Sequence, residues 1–400
     1  MNKNQILVLA MLIIAATSCK KSDPVTADKK LDGNLKTEAI PCLTLQWVKA
    51  IQGSTGPYAT TYPGKLTVNG DGDVFYSAWV TGSKWDLNTG EGQLYTSGGT
   101  GGYIVKHSGD GTFQWGKFAA GPYSIFSVDD QKNIYYSTTK SSPKHSRKYT
   151  PSGNLLWATD TLNFDFATGK GELFALPLTN DTSYKVHCQL KKYDKDRKHL
   201  FTKTTIVEWS KWNDYFHQAS TDAEGNIYWL TGSISLVKYT SNGTELYSTK
   251  VTSAYSDTPS DAKDMDIWMT NDRFGNAFVF YHGRFIKVNA NGTVAWTKTY
   301  SFDVQQAFTD PEGSVYTISG KKIVKYSSAG NLLGSTNLFA APQTGSAPKI
   351  TSIAADGKGN YYIAGTFSNE TDFDLGPGET KLKPVGNQIT PFIMKLKGCL

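Results

Sequence analysis

One ten-residue frame, read at 287–296 as KVNANGTVAW, returns throughout the chain and limits what it can become. Its other copies are KHSGDGTFQW (106–115), KYTPSGNLLW (148–157), KYDKDRKHLF (192–201), KYTSNGTELY (238–247) and KYSSAGNLLG (325–334). Each opens on a lysine nine residues before its closing position, which is usually aromatic. Between them lie a short apolar run, an Asn, Asp or Gly turn and a second apolar run. Such turn residues supply the positive φ angles that tight hairpins need.

A second hairpin precedes each frame, as in SIFSVDDQKNIYYS (124–137), QASTDAEGNIYWLTG (218–232), IWMTNDRFGNAFVF (267–280), QAFTDPEGSVYTIS (306–319) and SIAADGKGNYYIAG (352–365). Less regular copies occupy 65–78 and 165–178. Four strands per unit, here called a to d in chain order, repeating every 40–50 residues or so, describe a radial array of small sheets. The expected fold is all-β: a seven-bladed β-propeller over residues 42–400.

The seventh unit is split between the chain ends. Residues 392–396, FIMKL, read as strand c, but the sequence stops at Leu400 before a strand d. LTLQWVK (43–49) matches the missing strand, with Trp47 at the closing aromatic position. The N-terminal strand is therefore expected to complete the last blade and close the ring, which removes exposed sheet edges. Aligned to the 148–157 frame, Cys42 and Cys399 both fall at the Ser152 position, in the c–d turn. A disulfide between them is expected, and closing so long a loop contributes about 4–5 kcal/mol in the chain-entropy picture. Cys188 is then a small buried hydrophobe on blade three.

Residues 1–18 carry a lysine, an apolar run too short to span a bilayer, and small residues before Cys19. This is the pattern of an export signal. Ala16-Thr17-Ser18-Cys19 resembles the lipobox of bacterial lipoproteins, which implies acylation of Cys19 and stable attachment to a membrane. Polar residues 19–41 read as a flexible tether. The expected location is the cell envelope, at the outer membrane, with the face left open. The formal net charge of +6 is dispersed along the chain, so no nucleic-acid stripe is read. A monomer is expected.

The repeats resemble the SBBP-type propeller repeats of secreted bacterial proteins and, more loosely, pyrroloquinoline-quinone-like repeats. The stretches YYIAGTFS (361–368), DFDLGPG (372–378) and PFIMKLKG (391–398) carry that resemblance. It implies a fold and an exported location, and no single activity.

Sequence motifs for catalysis are missing: HExxH, CxxC, GxSxG and GxxxxGK[ST] do not occur. No catalytic residue and no cofactor is assigned. Asp372 and Asp374 are spaced like alternating carboxylates of a calcium loop, echoed weakly by Asp86 and Asn88, but without a distal glutamate at the proper spacing. The frame lysines Lys106, Lys148, Lys192, Lys238, Lys287, Lys325 and Lys395 are read as stems packed between blades, with ammonium groups at the rim.

Loop lengths separate the two faces. The a–b and c–d turns are short and uniform, whereas every long insertion is a b–c or d–a connection: 83–102, 208–217, 252–266 and 366–391. The insertions of blades one and seven are expected to pack together. Candidate ligand-binding residues are Trp209, Trp212 and Tyr215 in EWSKWNDYFH, Asp257, Asp261 and Asp264 in the next insertion, and Trp85 in blade one. Aromatic and polar groups together suit carbohydrate or peptide contacts. The leading expectation is a non-enzymatic binding module for a glycan or protein. A polysaccharide lyase or hydrolase, and a periplasmic scaffold for envelope assembly, are the alternatives.

Overall fold

Short apolar runs separated by Asp-rich and Gly-rich turns give each segment a nearby antiparallel partner, and the repeats fold as hairpin pairs. The computed structural model describes residues 43–53, 61–80, 85–88, 101–119, 124–138, 145–180, 185–208, 218–231, 235–251, 267–281, 283–300, 304–339, 347–384 and 389–398. Every regular element among them is a β-strand. They form seven blades in a ring, each built on the order a-b-c-d.

Blade one comprises Thr61–Val68, Val74–Val80, Gly101–His107 and Phe113–Ala119. Blade two comprises Ser124–Val128, Ile134–Thr138, Ser146–Tyr149 and Leu155–Thr159. Blade three is irregular. Its strand a is only Phe166–Ala167 and its strand b is Leu173–Ala175, with Leu178–Asn180 resuming the pairing beyond Pro177. Its outer strands, Lys185–Tyr193 and His199–Glu208, are long. Blades four, five and six follow the regular plan from Gln218–Thr221, Ile267–Asn271 and Gln306–Thr309 outward.

Blade seven takes Lys349–Ala355, Asn360–Phe367 and Thr390–Lys397 from the C-terminal part and Thr44–Ala50 from the N-terminal part. Thr44 pairs with Lys397 and Ala50 with Phe392, so the split blade expected from the sequence is the one observed. Cys42 and Cys399 lie outside the described residues, as do Cys19 and the leader. Cys188 is fully buried beside Leu190, Trp229 and Val237.

The core lies in the seams between blades. Val74, Tyr76 and Val105 of blade one pack with Tyr362, Ala364 and Ile393 of blade seven. Phe278 and Phe285 of blade five pack with Val315 and Val324 of blade six. Each fully buried side chain of this size contributes about 1.5–3 kcal/mol. Each blade shields the flank of its neighbour, so stability depends on closing the ring.

Candidate functional site

The a–b turns show why one face is uniform. In blade two, Asp129 accepts the Asn133 amide at 2.8 Å, the Asn133 Nδ2 at 2.9 Å and the Tyr135 hydroxyl at 3.0 Å. Asp222 in blade four makes the same three contacts with Asn226 and Tyr228. Asp356 repeats the plan, and Asp272 keeps the two contacts with Asn276, Phe278 standing where the tyrosine would be. The turn residue before each Asn or its equivalent has positive φ and is glycine in every blade except the second, where Lys132 takes φ 65°.

The frame lysines complete this arrangement. Each ammonium lies over the strand b aromatic of its own blade, at 4.6 Å from the ring in Lys148–Tyr135 and Lys238–Tyr228. In blades one, two, three, four and six it also faces the turn carboxylate, as in Lys106–Asp73 at 2.9 Å and Lys192–Glu172 at 2.8 Å. Several then cross the seam: Lys192 donates to the Ser241 carbonyl at 2.6 Å, Lys287 to Ser328 at 3.0 Å and Lys395 to Gly109 at 2.8 Å. The stems pack between blades as expected, but the ammonium groups are engaged by protein partners rather than left to solvent, with Lys325 keeping 28% exposure. The side chain of Lys192 is only 2% exposed, and its charge is balanced by a carboxylate, a carbonyl and a ring. A cleft of about 410 Å³ opens at the blade three and four turns, beside Lys170, Glu172 and Asp222. Glu172 and Asp222 are already paired with Lys192 and Lys238.

On the opposite face the insertions begin as plugs in the seams. Trp85–Asp86 pairs with Gln52–Gly53, and the following Leu87 is buried against Ile51, Tyr103 and Ile393 between blades seven and one. Thr371–Asp372 pairs with Lys381–Leu382, and Phe373 is fully buried against Phe339, Phe367 and Phe392 between blades six and seven. The described parts of the two insertions thus enter different seams and do not pack together. Each follows its own blade because an apolar residue between two polar ones is drawn into the nearest gap.

Asp86 and Asp372 do equivalent work in these plugs. Asp86 Oδ1 accepts the Asn88 amide at 3.0 Å, and Asp372 Oδ1 accepts the Asp374 amide at 3.0 Å and the Thr380 amide at 2.8 Å. Asp374 in turn accepts the Gly376 amide at 2.7 Å. These carboxylates order the hairpin backbone, and among the described residues no group of three or more His, Cys, Asp or Glu is placed to hold a metal. Trp209, Trp212, Tyr215, Asp257, Asp261 and Asp264 lie outside the described residues, as does the side chain of Trp85.

Strand a of blade one carries an irregularity that the motif search missed. Pro63 pairs with Ala78 and Leu66 with Tyr76, so Gly64 and Lys65 together oppose Ser77 in a β-bulge. The Ser77 hydroxyl satisfies the bulge, accepting the Lys65 amide at 3.1 Å and donating to the Lys65 carbonyl at 3.4 Å. A Cβ on Gly64 would fall onto the Ser77 carbonyl. Lys65, in the bulge of the innermost strand, is solvent-accessible.

Asp165 precedes strand a of blade three and accepts the Leu176 amide at 2.6 Å. Protein packed around the solvent-accessible Lys65 side chain lowers its ammonium pKa, partly offset by the charge of Asp165. Burial likewise raises that of Asp165, offset by the Leu176 amide and by Lys65. The signal available in the sequence was Pro63-Gly64 inside a strand, the usual mark of a bulge.

No protein-family model matches the chain, and no curated protein matches it. Solved structures similar to it include BamB from Moraxella catarrhalis, with 9% identity over 87% of this chain and 99% of that one, at a TM-score of 0.45. The WD40 domain of Pan2 from Neurospora crassa matches with 8% identity over 90% and 97%, also at 0.45. A protein of unknown function from Bacteroides caccae matches with 11% identity over 64% and 97%, at 0.35. The propeller assignment itself rests on the strand order of this chain.

Proposed function

We propose that this protein is an exported, lipid-anchored propeller that binds a glycan through the face carrying its b–c and d–a connections, without turning it over. The observation that carries this reading is the division of labour between faces. On the a–b and c–d side the turn carboxylates and frame lysines are engaged within and between blades. On the other side, the described parts of two insertions are seated in the seams by Leu87 and Phe373. Binding groups on loops held by a rigid scaffold are the usual arrangement for recognition.

Acylation at Cys19 fits this orientation. Strand Thr44–Ala50 begins at the c–d end, beside Lys397, so a tether entering there leaves the insertion face pointing away from the membrane. The SBBP-type and pyrroloquinoline-quinone-like character of the repeats supports an exported location. Trp209, Trp212 and Tyr215 supply the stacking surface and Asp257, Asp261 and Asp264 the polar contacts in this reading.

The test is retention of the full chain, in detergent, on immobilised polysaccharides, with assay of each for new reducing or unsaturated ends. Binding without product, lost in the Trp209→Ala/Trp212→Ala variant, is expected. Product would make this an enzyme. Absence of binding across the panel would reject the glycan reading in favour of a protein partner.

A further inference from the structure

The a–b turns of neighbouring blades mesh with one another. Lys358 of blade seven donates to the Gly70 carbonyl of blade one, and Lys132 of blade two pairs with Asp71 of blade one. The Asp130 amide of blade two donates to the Gly169 carbonyl of blade three at 2.7 Å. Between blades three and four the turns part to form the cleft of about 410 Å³. That volume lies within the roughly 300–1,000 Å³ of small-molecule sites.

Two opposite charges line this cleft, and the fold uses neither. Among the described residues, the charged groups of Asp130 and Lys170 have no hydrogen-bond or ion-pair partner and do not pair with each other. Their positions are nonetheless built. The Asp130 carboxylate fills the space where a Cβ on Gly169 would fall, although the Gly169 backbone has no positive φ that calls for glycine. The Lys170 ammonium reaches across to blade four, 3.9 Å from the place of a Cβ on Gly225. One charged head thus rests over blade three and the other beside blade four. The remaining charges of the lining cancel, Glu172 against Lys192 at 2.8 Å and Asp222 against Lys238 at 3.7 Å. A ligand with one net charge is attracted by one of the two free groups and repelled by the other.

We infer that the cleft binds a small zwitterion, an amino acid whose ammonium meets Asp130 and whose carboxylate meets Lys170. Charge-assisted hydrogen bonds then form at both ends, and the cleft is left neutral. The site lies on the face opposite the insertions, so it does not depend on a polymer binding there.

Calorimetric titration of the full chain in detergent with glycine, β-alanine and γ-aminobutyrate, which hold the two charges progressively further apart, tests it. Binding of at least one with unit stoichiometry is expected, with propylamine and propionate at least about tenfold weaker. Asp130→Asn and Lys170→Met should each weaken binding at least about tenfold, and Lys170→Arg should retain it within about threefold. Both residues are exposed and tolerate replacement, which thermal melting of each variant checks.

Lys383→Met, in the blade seven insertion, is the control for diffuse charge. Equal losses in Lys383→Met and Lys170→Met would overturn the inference. So would equal binding of propylamine or propionate, or binding of none of the three amino acids. A chain that retains polysaccharide but binds no amino acid loses this site and keeps the reading above.

Discussion

The Lys395 ammonium donates to the carbonyl of Gly109 at 2.8 Å, joining two residues 286 positions apart. The same carbonyl accepts the Trp47 indole N–H at 3.1 Å, so both segments that make up blade seven grip one turn of blade one. This contact closes the ring, and it carries the first prediction. Trp47→Ala should destabilise the protein by about 3–5 kcal/mol, the range for emptying a large aromatic site. Lys395→Met should cost about 1–3 kcal/mol through the lost charged hydrogen bond. Urea unfolding would check both. A Trp47→Ala protein as stable as the parent would mean that the ring does not need its N-terminal strand.

Lys238 and Asp222 test the buried lysine arrangement. Their side chains are 8% and 3% exposed, at a separation of 3.7 Å, with the Tyr228 ring beneath the ammonium. Lys238→Met leaves a buried carboxylate without its cation, for a loss of about 3–5 kcal/mol. Lys195→Ala removes an exposed partner of Asp196 and should change stability by less than about 1 kcal/mol. Similar melting losses for the two would mean that the buried cation has no special weight.

His107 gives the closing seam a pH dependence. It is fully buried, stacked on Trp47 at 6.4 Å and edge-on to Phe113 at 5.9 Å. Burial, aided by Lys49, lowers its pKa from 6.5 to about 4. The folded state therefore holds a neutral ring where the unfolded chain takes up a proton. Stability is complete above pH 6.5 and is lost as the pH falls toward 4, by about 3 kcal/mol in all. His107→Phe should flatten that part of the curve. Parallel stability profiles for parent and variant between pH 7 and 5 would remove His107 as the cause.

Gly64 should be irreplaceable. In Gly64→Ala the new methyl meets the Ser77 carbonyl, so either the bulge or the strand b backbone must move. A loss of about 3 kcal/mol or more is expected in urea unfolding. A variant as stable as the parent would show that the bulge can accommodate a side chain at position 64.

The chain ends should be covalently joined. Thr44 lies opposite Lys397, and Cys42 and Cys399, outside the described residues, each stand two positions beyond that pair in the sequence. Peptide mapping without reductant is expected to recover a Cys42–Cys399 pair. A Cys42–Cys188 pair would contradict the observed fold, in which Cys188 is buried within blade three.

The repeated frame by itself determined seven blades, the split last blade and the contrast between faces. These are local matters: an Asp/Gly turn and a run of apolar residues select hairpins, and hairpins of one length select a ring. The register of Trp47 beside Lys395 was readable for the same reason.

Only the tertiary structure decided what the charges do. The frame lysines look alike in sequence whether their heads meet solvent or a neighbouring carbonyl, and the partner turn belongs to another blade. The Asp86 and Asp372 loops look like ligand sets until their carboxylates are seen to bind backbone amides and Leu87 and Phe373 to enter separate seams. The bulge at Gly64 and Lys65 lies outside any motif, and it became visible only when the Ser77 hydroxyl of the next strand was seen to hold both polar groups of the Lys65 backbone.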